Sequence, residues 1–286
     1  INGEDKPVYS VSGSTPINAQ IVWSNNAITR ITGAQVSLQF NGQALDKDSV
    51  IVPNGRYDAR NNLIVWDADT VPEFVALEPG ATGTLPFTIS AKNISGTSLN
   101  SEIQMTVGIR GEQSGDGIGQ QTISSVDKKT LRFGVDFQIA QSVSFLQGSF
   151  KNSGTNPPKK GAETTYTVNW TLSPVENVVT GAIAKAVLPI GVRWVAKTSP
   201  ALEKISFNPS TREVIWDIGT VKKSTSNLVR QVSFQVGVTP SAFDTETTTL
   251  LMGELNVVGT DTYTGSSVKN TKRELNTRIV DGKTTN

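Results

Sequence analysis

Apolar and polar residues alternate one by one along much of this chain, and helical spacing is almost absent. Tyr166, Val168, Trp170 and Leu172 alternate with Thr167, Asn169 and Thr171, and Val36, Leu38 and Phe40 alternate with Gln35, Ser37 and Gln39. Phe87, Ile89 and Ala91, and later Val232, Phe234, Val236 and Val238, repeat the pattern. A period of two gives each segment one apolar and one polar face, as in antiparallel sheets with one solvated side. Between the segments stand Asn41-Gly42, Asn54-Gly55, Pro79-Gly80, Asn208-Pro209-Ser210 and Thr264-Gly265, residue types that turn a chain. The pattern predicts an all-β protein.

Unusual residues recur at a nearly constant interval. Trp23 and Trp170 are separated by 147 residues (170 − 23), Trp66 and Trp216 by 150 (216 − 66), and Phe87 and Phe234 by 147 (234 − 87). Met105 and Met252 also differ by 147 (252 − 105). Ile31-Thr32-Gly33-Ala34 matches Val179-Thr180-Gly181-Ala182, and Leu63 through Val71 matches Glu213 through Val221. Length changes in loops cost little entropy and account for the drift. The chain is therefore expected to hold two copies of one module, residues 1–136 and 137–286. Superposing the copies puts Ala19, Ile21 and Trp23 on Tyr166, Val168 and Trp170, and Ile64 and Trp66 on Val214 and Trp216. Trp23, Trp66, Trp170 and Trp216 are the expected core signature, each able to bury roughly 150–250 Å².

From Leu131 to Phe145 the apolar residues fall on odd positions, Leu131, Phe133, Val135, Phe137, Ile139, Val143 and Phe145, with no Gly/Ser/Pro linker. A strand-like path of about 15 residues exceeds the usual length of one strand, so the last strand of the first module is expected to pass with little slack into the first strand of the second, giving a stiff tandem rod.

Composition removes most catalytic chemistry. The 286 residues contain no His and no Cys, which excludes Ser-His-Asp and Cys-His nucleophiles, imidazole acid-base steps, His- or Cys-ligated metals and disulfides. Charged residues make up 18%, against about 25% in a usual soluble protein. The net charge of +1, without runs of like charge, predicts no nucleic-acid partner. No apolar run approaches the length of a membrane span. The chain begins at Ile1 and reads as a piece of a longer or processed polypeptide.

In the second copy, Leu188-Pro-x-Gly-Val-x-Trp-Val195, the turn at Phe207-Asn208, Val214-Ile-Trp-Asp-Ile-Gly-Thr-Val221, the strand around Phe234 and Gly259-Thr-Asp-Thr-Tyr-Thr-Gly265 follow one another. This series resembles the immunoglobulin-like conserved-repeat module of bacterial and archaeal cell-surface proteins, found in tandem in S-layer-like and adhesin-like polypeptides. The first copy departs from it at Phe40-Asn41-Gly42-Gln43 and at Gly111 to Gly119. The resemblance implies two tandem immunoglobulin-like antiparallel β-sandwich domains at an extracellular, cell-surface or envelope location, and it supplies no catalytic residues.

Other motifs carry weaker chemistry. Gly115-Asp116-Gly117-Ile118-Gly119 lacks the Lys-Ser/Thr and the helix of a phosphate loop and reads as a hairpin tip. Leu188-Pro189-Ile190-Gly191 reads as a turn rather than a sorting signal. Asp46 with Asp48, and Asp67 with Asp69, are candidate calcium ligands, but only Asp67 has a counterpart, Asp217, so no cofactor is predicted. Lys185 falls on the outward side of its strand, a poor position for a buried isopeptide cross-link. Asn93-Ile94-Ser95 and Asn169-Trp170-Thr171 are glycosylation sequons. Trp194, after Gly191-Val192-Arg193, has no aromatic counterpart in the first copy, and Trp194 and Arg193 are the candidate partner-contact residues. The sequence thus predicts a non-enzymatic structural element of the cell envelope, a stalk or lattice that associates with neighbouring copies or further modules. The alternative is an adhesin whose loops contact a glycan or protein.

Overall fold

A computed structural model of the chain describes residues 1, 4–5, 7–12, 16–92, 102–115, 118–223, 229–241 and 248–284. Among these the protein is all-β, with one 3-10 turn at Pro72–Val75 and no α-helix. The chain separates into two compact units, Ile1–Gly134 and Val135–Asn286, a division two residues before the position expected from sequence.

Unit 1 contains β1 (Val8–Ser12), β2 (Ile17–Ser24), β3 (Ile31–Asn41), β4 (Leu45–Ile51), β5 (Arg56–Asp58), β6 (Leu63–Trp66), β7 (Ala76–Leu77), β8 (Thr82–Ala91), β9 (Glu102–Gly115) and β10 (Ile118–Gly134). Its large sheet runs β1-β10-β9-β3-β6-β5, with β7 also against β3, and its small sheet runs β2-β8-β4. Phe87 of the small sheet meets Trp66 and Phe40 of the large one, with ring centroids 6.5 and 6.1 Å apart, so the two sheets share one core.

Unit 2 contains β11 (Ile139–Ser144), β12 (Thr164–Leu172), β13 (Val179–Val187), β14 (Val192–Ser199), β15 (Lys204–Asn208), β16 (Glu213–Val221), β17 (Arg230–Val238), β18 (Leu250–Met252), β19 (Leu255–Asp261), β20 (Ser267–Lys272) and β21 (Leu275–Asn276). One sheet runs β11-β12-β17-β14, the other β15-β16-β13-β19-β20, and β18 pairs with β21. The order β10-β9-β3-β6-β5 in unit 1 is thus repeated as β20-β19-β13-β16-β15, and β2-β8-β4 as β12-β17-β14.

The register is alike in the two units at several positions. Trp66 lies opposite Val36 and Trp216 opposite Ala184. The shared Thr-Gly-Ala strings mark one bulge in both copies: pairing slips between Thr32 and Gln35 and between Thr180 and Ile183, and Gly33 and Gly181 take φ of +58° and +61°. A side chain at that φ is strained, which is why glycine recurs there.

Two expectations need correction. The pairing is Ala19 with Phe87 but Tyr166 with Val236, so Phe87 matches Val236 rather than Phe234. A shift of two keeps every side chain on its own face, and alternation alone does not reveal it. Met105 lies in β9 and pairs with Phe40, whereas Met252 lies in β18, apart from β19. At the junction β10 ends at Gly134 and β11 starts at Ile139. The alternating burial continues across the gap: Leu131 and Phe133 belong to the first core, Val135 and Phe137 to the second. The buried Asp261 carboxylate accepts the Val135 N–H at 3.0 Å, a bond directed away from any ladder.

Candidate functional site

The turn from Leu188 to Val192 leads into β14, an edge strand, and is braced by Arg212. That guanidinium donates to the carbonyls of Leu188, Pro189 and Val192 at 2.9, 2.6 and 2.7 Å. Next along β14, Arg193 meets Glu163 through two parallel bonds, Nε to Oε1 at 2.9 Å and Nη2 to Oε2 at 3.0 Å. Gly237 stands opposite Arg193 in β17, and a Cβ there would lie 2.4 Å from the Glu163 carboxylate, so the missing side chain makes room for the pair. The hydrogen bond holds the Glu163 carboxyl below its usual range and raises the Arg193 guanidinium above its own.

Trp194 is half-buried. Its indole stacks on Phe207 with centroids 5.8 Å apart and planes 15° apart, and it also lies against Phe234 at 5.3 Å. Gly191, Val192, Arg193, Trp194, Phe207 and Arg212 surround an open hollow of about 400 Å³. Beyond Trp194 the pairing of β14 with β17 slips until Thr198, and Ala196 takes a φ of +60°. The hollow therefore offers aromatic and aliphatic surface beside two guanidinium groups whose Nε and Nη2 donors are engaged. Its chemistry is that of contact rather than proton transfer. Glu163 comes from 30 positions upstream, and Arg212 from the hairpin between β15 and β16. The hydrophobic pattern carries no signal for either.

The remaining candidates take other roles. Trp66, Trp170 and Trp216 are fully enclosed and Trp23 is 8% exposed. Lys185 is exposed between Ile215 and Asn256. The Asp46 carboxylate accepts the Asp48 N–H at 3.2 Å. Asp67 accepts the Asp69 N–H at 3.2 Å and pairs with Arg56. These carboxylates close turns, and among the described residues no group of three or more Asp, Glu, His or Cys converges to hold a metal. The sequon at Asn169 is corrected: its side chain is buried, accepting from Ser233 at 2.7 Å and donating to Ser144 at 3.4 Å. The sequon at Asn93 lies outside the described residues, as does the tip of the Gly111 to Gly119 hairpin.

No protein-family model and no curated protein matches the chain. Solved structures do. The C-terminal domain of the antigen I/II polypeptide BspA from Streptococcus agalactiae is 14% identical, with 94% of this chain and 96% of that one covered, at a TM-score of 0.33. The corresponding domain of AspA from Streptococcus pyogenes is 12% identical over 92% and 93%, at 0.34. The major pilin subunit BcpA of Bacillus cereus is 8% identical over 92% and 69%, at 0.34. The Fcho1 Mu homology domain of Danio rerio follows at 8%, 85%, 70% and 0.30. Scores this low, shared by such different proteins, leave function to the chain's own residues.

Proposed function

We propose that the chain is a non-catalytic element of the cell envelope in which two immunoglobulin-like sandwiches in tandem form a stiff stalk or part of a surface lattice. The observation that carries this reading is the junction. The alternating run continues from Leu131 and Phe133, which belong to the first core, to Val135 and Phe137, which belong to the second, and the Val135 N–H donates to Asp261. Repetition of one strand order in both units adds to it, because a repeated module supplies spacing more readily than a new active site. The resemblance of the second copy to surface-protein modules supplies the extracellular location. Small-angle scattering tests the stiffness: a single narrow distribution of particle lengths is expected, and a broad ensemble of bend angles would sink the reading.

The hollow at Trp194 favours a second reading, an adhesin that contacts a glycan or protein there. Retention of the chain on glycan- or protein-coated surfaces, lost on Trp194→Ala, is its expected signature.

A further inference from the structure

β2 is an edge strand with a property that its counterpart lacks. In unit 2, β11 covers the outer side of β12 through six consecutive antiparallel pairs, Ile139 with Leu172 through Ser144 with Thr167. In unit 1 the first strand goes to the other sheet, where β1 pairs in parallel with β10, and among the described residues β2 pairs with β8 alone. The backbone phase shows what is left open. Asn25 N–H donates inward to Ala81, so odd residues face β8 and Asn18, Gln20, Val22 and Ser24 direct their N–H and C=O groups outward. Their equivalents in β12 include Thr167, Asn169 and Thr171, whose backbones face β11.

Proteins normally blunt such edges with charges, bulges, brevity or a cover. β4 and β14 are bulged, β15 carries Lys204, and β20 carries Lys269 and Lys272. β5 has three residues, and β10 beyond β1 carries Asp127, Lys128 and Lys129. The outer side of β11 receives a hydrogen bond from Asp281 N to Val143 O. Among the described residues β2 shows none of these devices: it is eight residues long, regular through all eight pairs with β8, and uncharged, and Val22 is 67% exposed.

We propose that β2 is a self-association edge, paired antiparallel with β2 of a second copy around a two-fold axis at Ile21. This register puts outward-facing Gln20 opposite Val22, and Asn18 opposite Ser24. On the core side Ile21 meets Ile21, and each Trp23 meets the small Ala19. No charge opposes a like charge, because the strand has none. The two three-stranded sheets then become one six-stranded sheet. The proposal deepens the lattice reading by naming the contact.

One strand pair is a small interface, below about 1,200 Å², so association in the micromolar-to-millimolar range is expected. Sedimentation velocity of the full chain at rising concentration should show a monomer-dimer equilibrium. Val22→Lys should weaken it at least about tenfold, the equivalent of ~1.4 kcal/mol. Gln20→Pro should do the same, because it removes an outward N–H and leaves the β8 ladder intact. The chain has no cysteine, so Ile21→Cys is a clean probe. In a non-hydrogen-bonded antiparallel pair the Cα atoms lie about 4.5 Å apart, within disulfide range. Mild oxidation should cross-link Ile21→Cys into a dimer and leave Val126→Cys monomeric. A chain that stays monomeric at the highest concentration, or a dimer indifferent to both edge variants, overturns the proposal. Scattering from the Val22→Lys chain tests the stalk reading separately, since stiffness within one chain does not depend on this contact.

Discussion

Trp66 and Trp216 occupy the same station in two units of matching strand order, opposite Val36 and Ala184, yet their surroundings differ. The Trp216 indole N–H donates to Glu203 at 2.8 Å. Glu203 is held in turn by two bonds from Arg230, whose guanidinium lies 5.8 Å from the Trp216 ring. Among the described residues the buried Trp66 N–H has no partner; it lies close to Gly55, and Ala81 stands where Arg230 would be. The sheet faces differ as well. In unit 2 residues 145 to 163 form a strap over the polar side of β12 and β17. Asn152 donates to the carbonyls of Ser144 and Phe145, and accepts from Gln235 at 2.8 Å. Ser153 N–H donates to Thr165 at 2.7 Å. In unit 1 only residues 13–16 separate β1 from β2, and Pro86 stands opposite Gln20, the station that Gln235 holds opposite Thr167. The two units share a strand order and an apolar face, whereas each satisfies its polar atoms and closes its edges in its own way.

Removing one indole hydrogen bond is the strongest way to test that contrast. Trp216→Phe should destabilise its module by about 1.5–3 kcal/mol more than Trp66→Phe does, the usual worth of a hydrogen bond to a charged group. Denaturant titration followed by fluorescence and by far-ultraviolet dichroism measures both, and equal losses would break the comparison.

Next comes the strap. Asn152→Ala leaves Gln235 and Thr167 short of partners under cover and should cost about 1–2 kcal/mol. Hydrogen exchange should accelerate at Ser153 and Thr155, with β13 and β16 unchanged. If those amides keep their protection, the strap is held by something other than this network.

The smallest effect is the most diagnostic of charge. Burial opposes ionisation of Glu203, but bonds from Arg230 and Trp216 outweigh it and hold the carboxyl below the ordinary glutamate range. The stabilisation is therefore complete above that range and is lost as pH falls through the native value. Glu203→Gln should cost about 1 kcal/mol or less at neutral pH, discounted because Arg230 is partly solvated. Stability curves of the two proteins should converge in acid, and parallel curves would remove the carboxylate from the account.

Much of the fold was legible because alternation, turn residues and recurrent Trp positions all report the apolar face, where burial acts. The Thr-Gly-Ala strings even marked a shared bulge, since only its left-handed φ makes glycine recur. What stayed hidden lies on the polar side. Asn152, Ser153 and Thr155 read as an ordinary loop, and their partners in β12 and β17 are fixed by direction and distance rather than hydrophobicity. The same holds for Asn169, whose place on the outward face suggested solvent where the strap lies. The placement of β1 was equally unreadable, because Val8 to Ser12 could satisfy either sheet. At the candidate site, Trp194 and Arg193 were visible as odd residues near a turn, whereas Phe207, Glu163 and Arg212 came from packing.

The parallel pairing of β1 with β10 has a mechanical meaning. These are the first and last strands of unit 1, joined at Val8 with Thr130 through Ser12 with Gly134. Tension applied to the two ends of that unit pulls β1 by its start and β10 by its finish, in opposite directions along the same line. The load is shear, shared by all five rungs at once, so they yield together instead of unzipping one at a time. The strand that pairs with β10 rather than with β2 is the one that bears the pull.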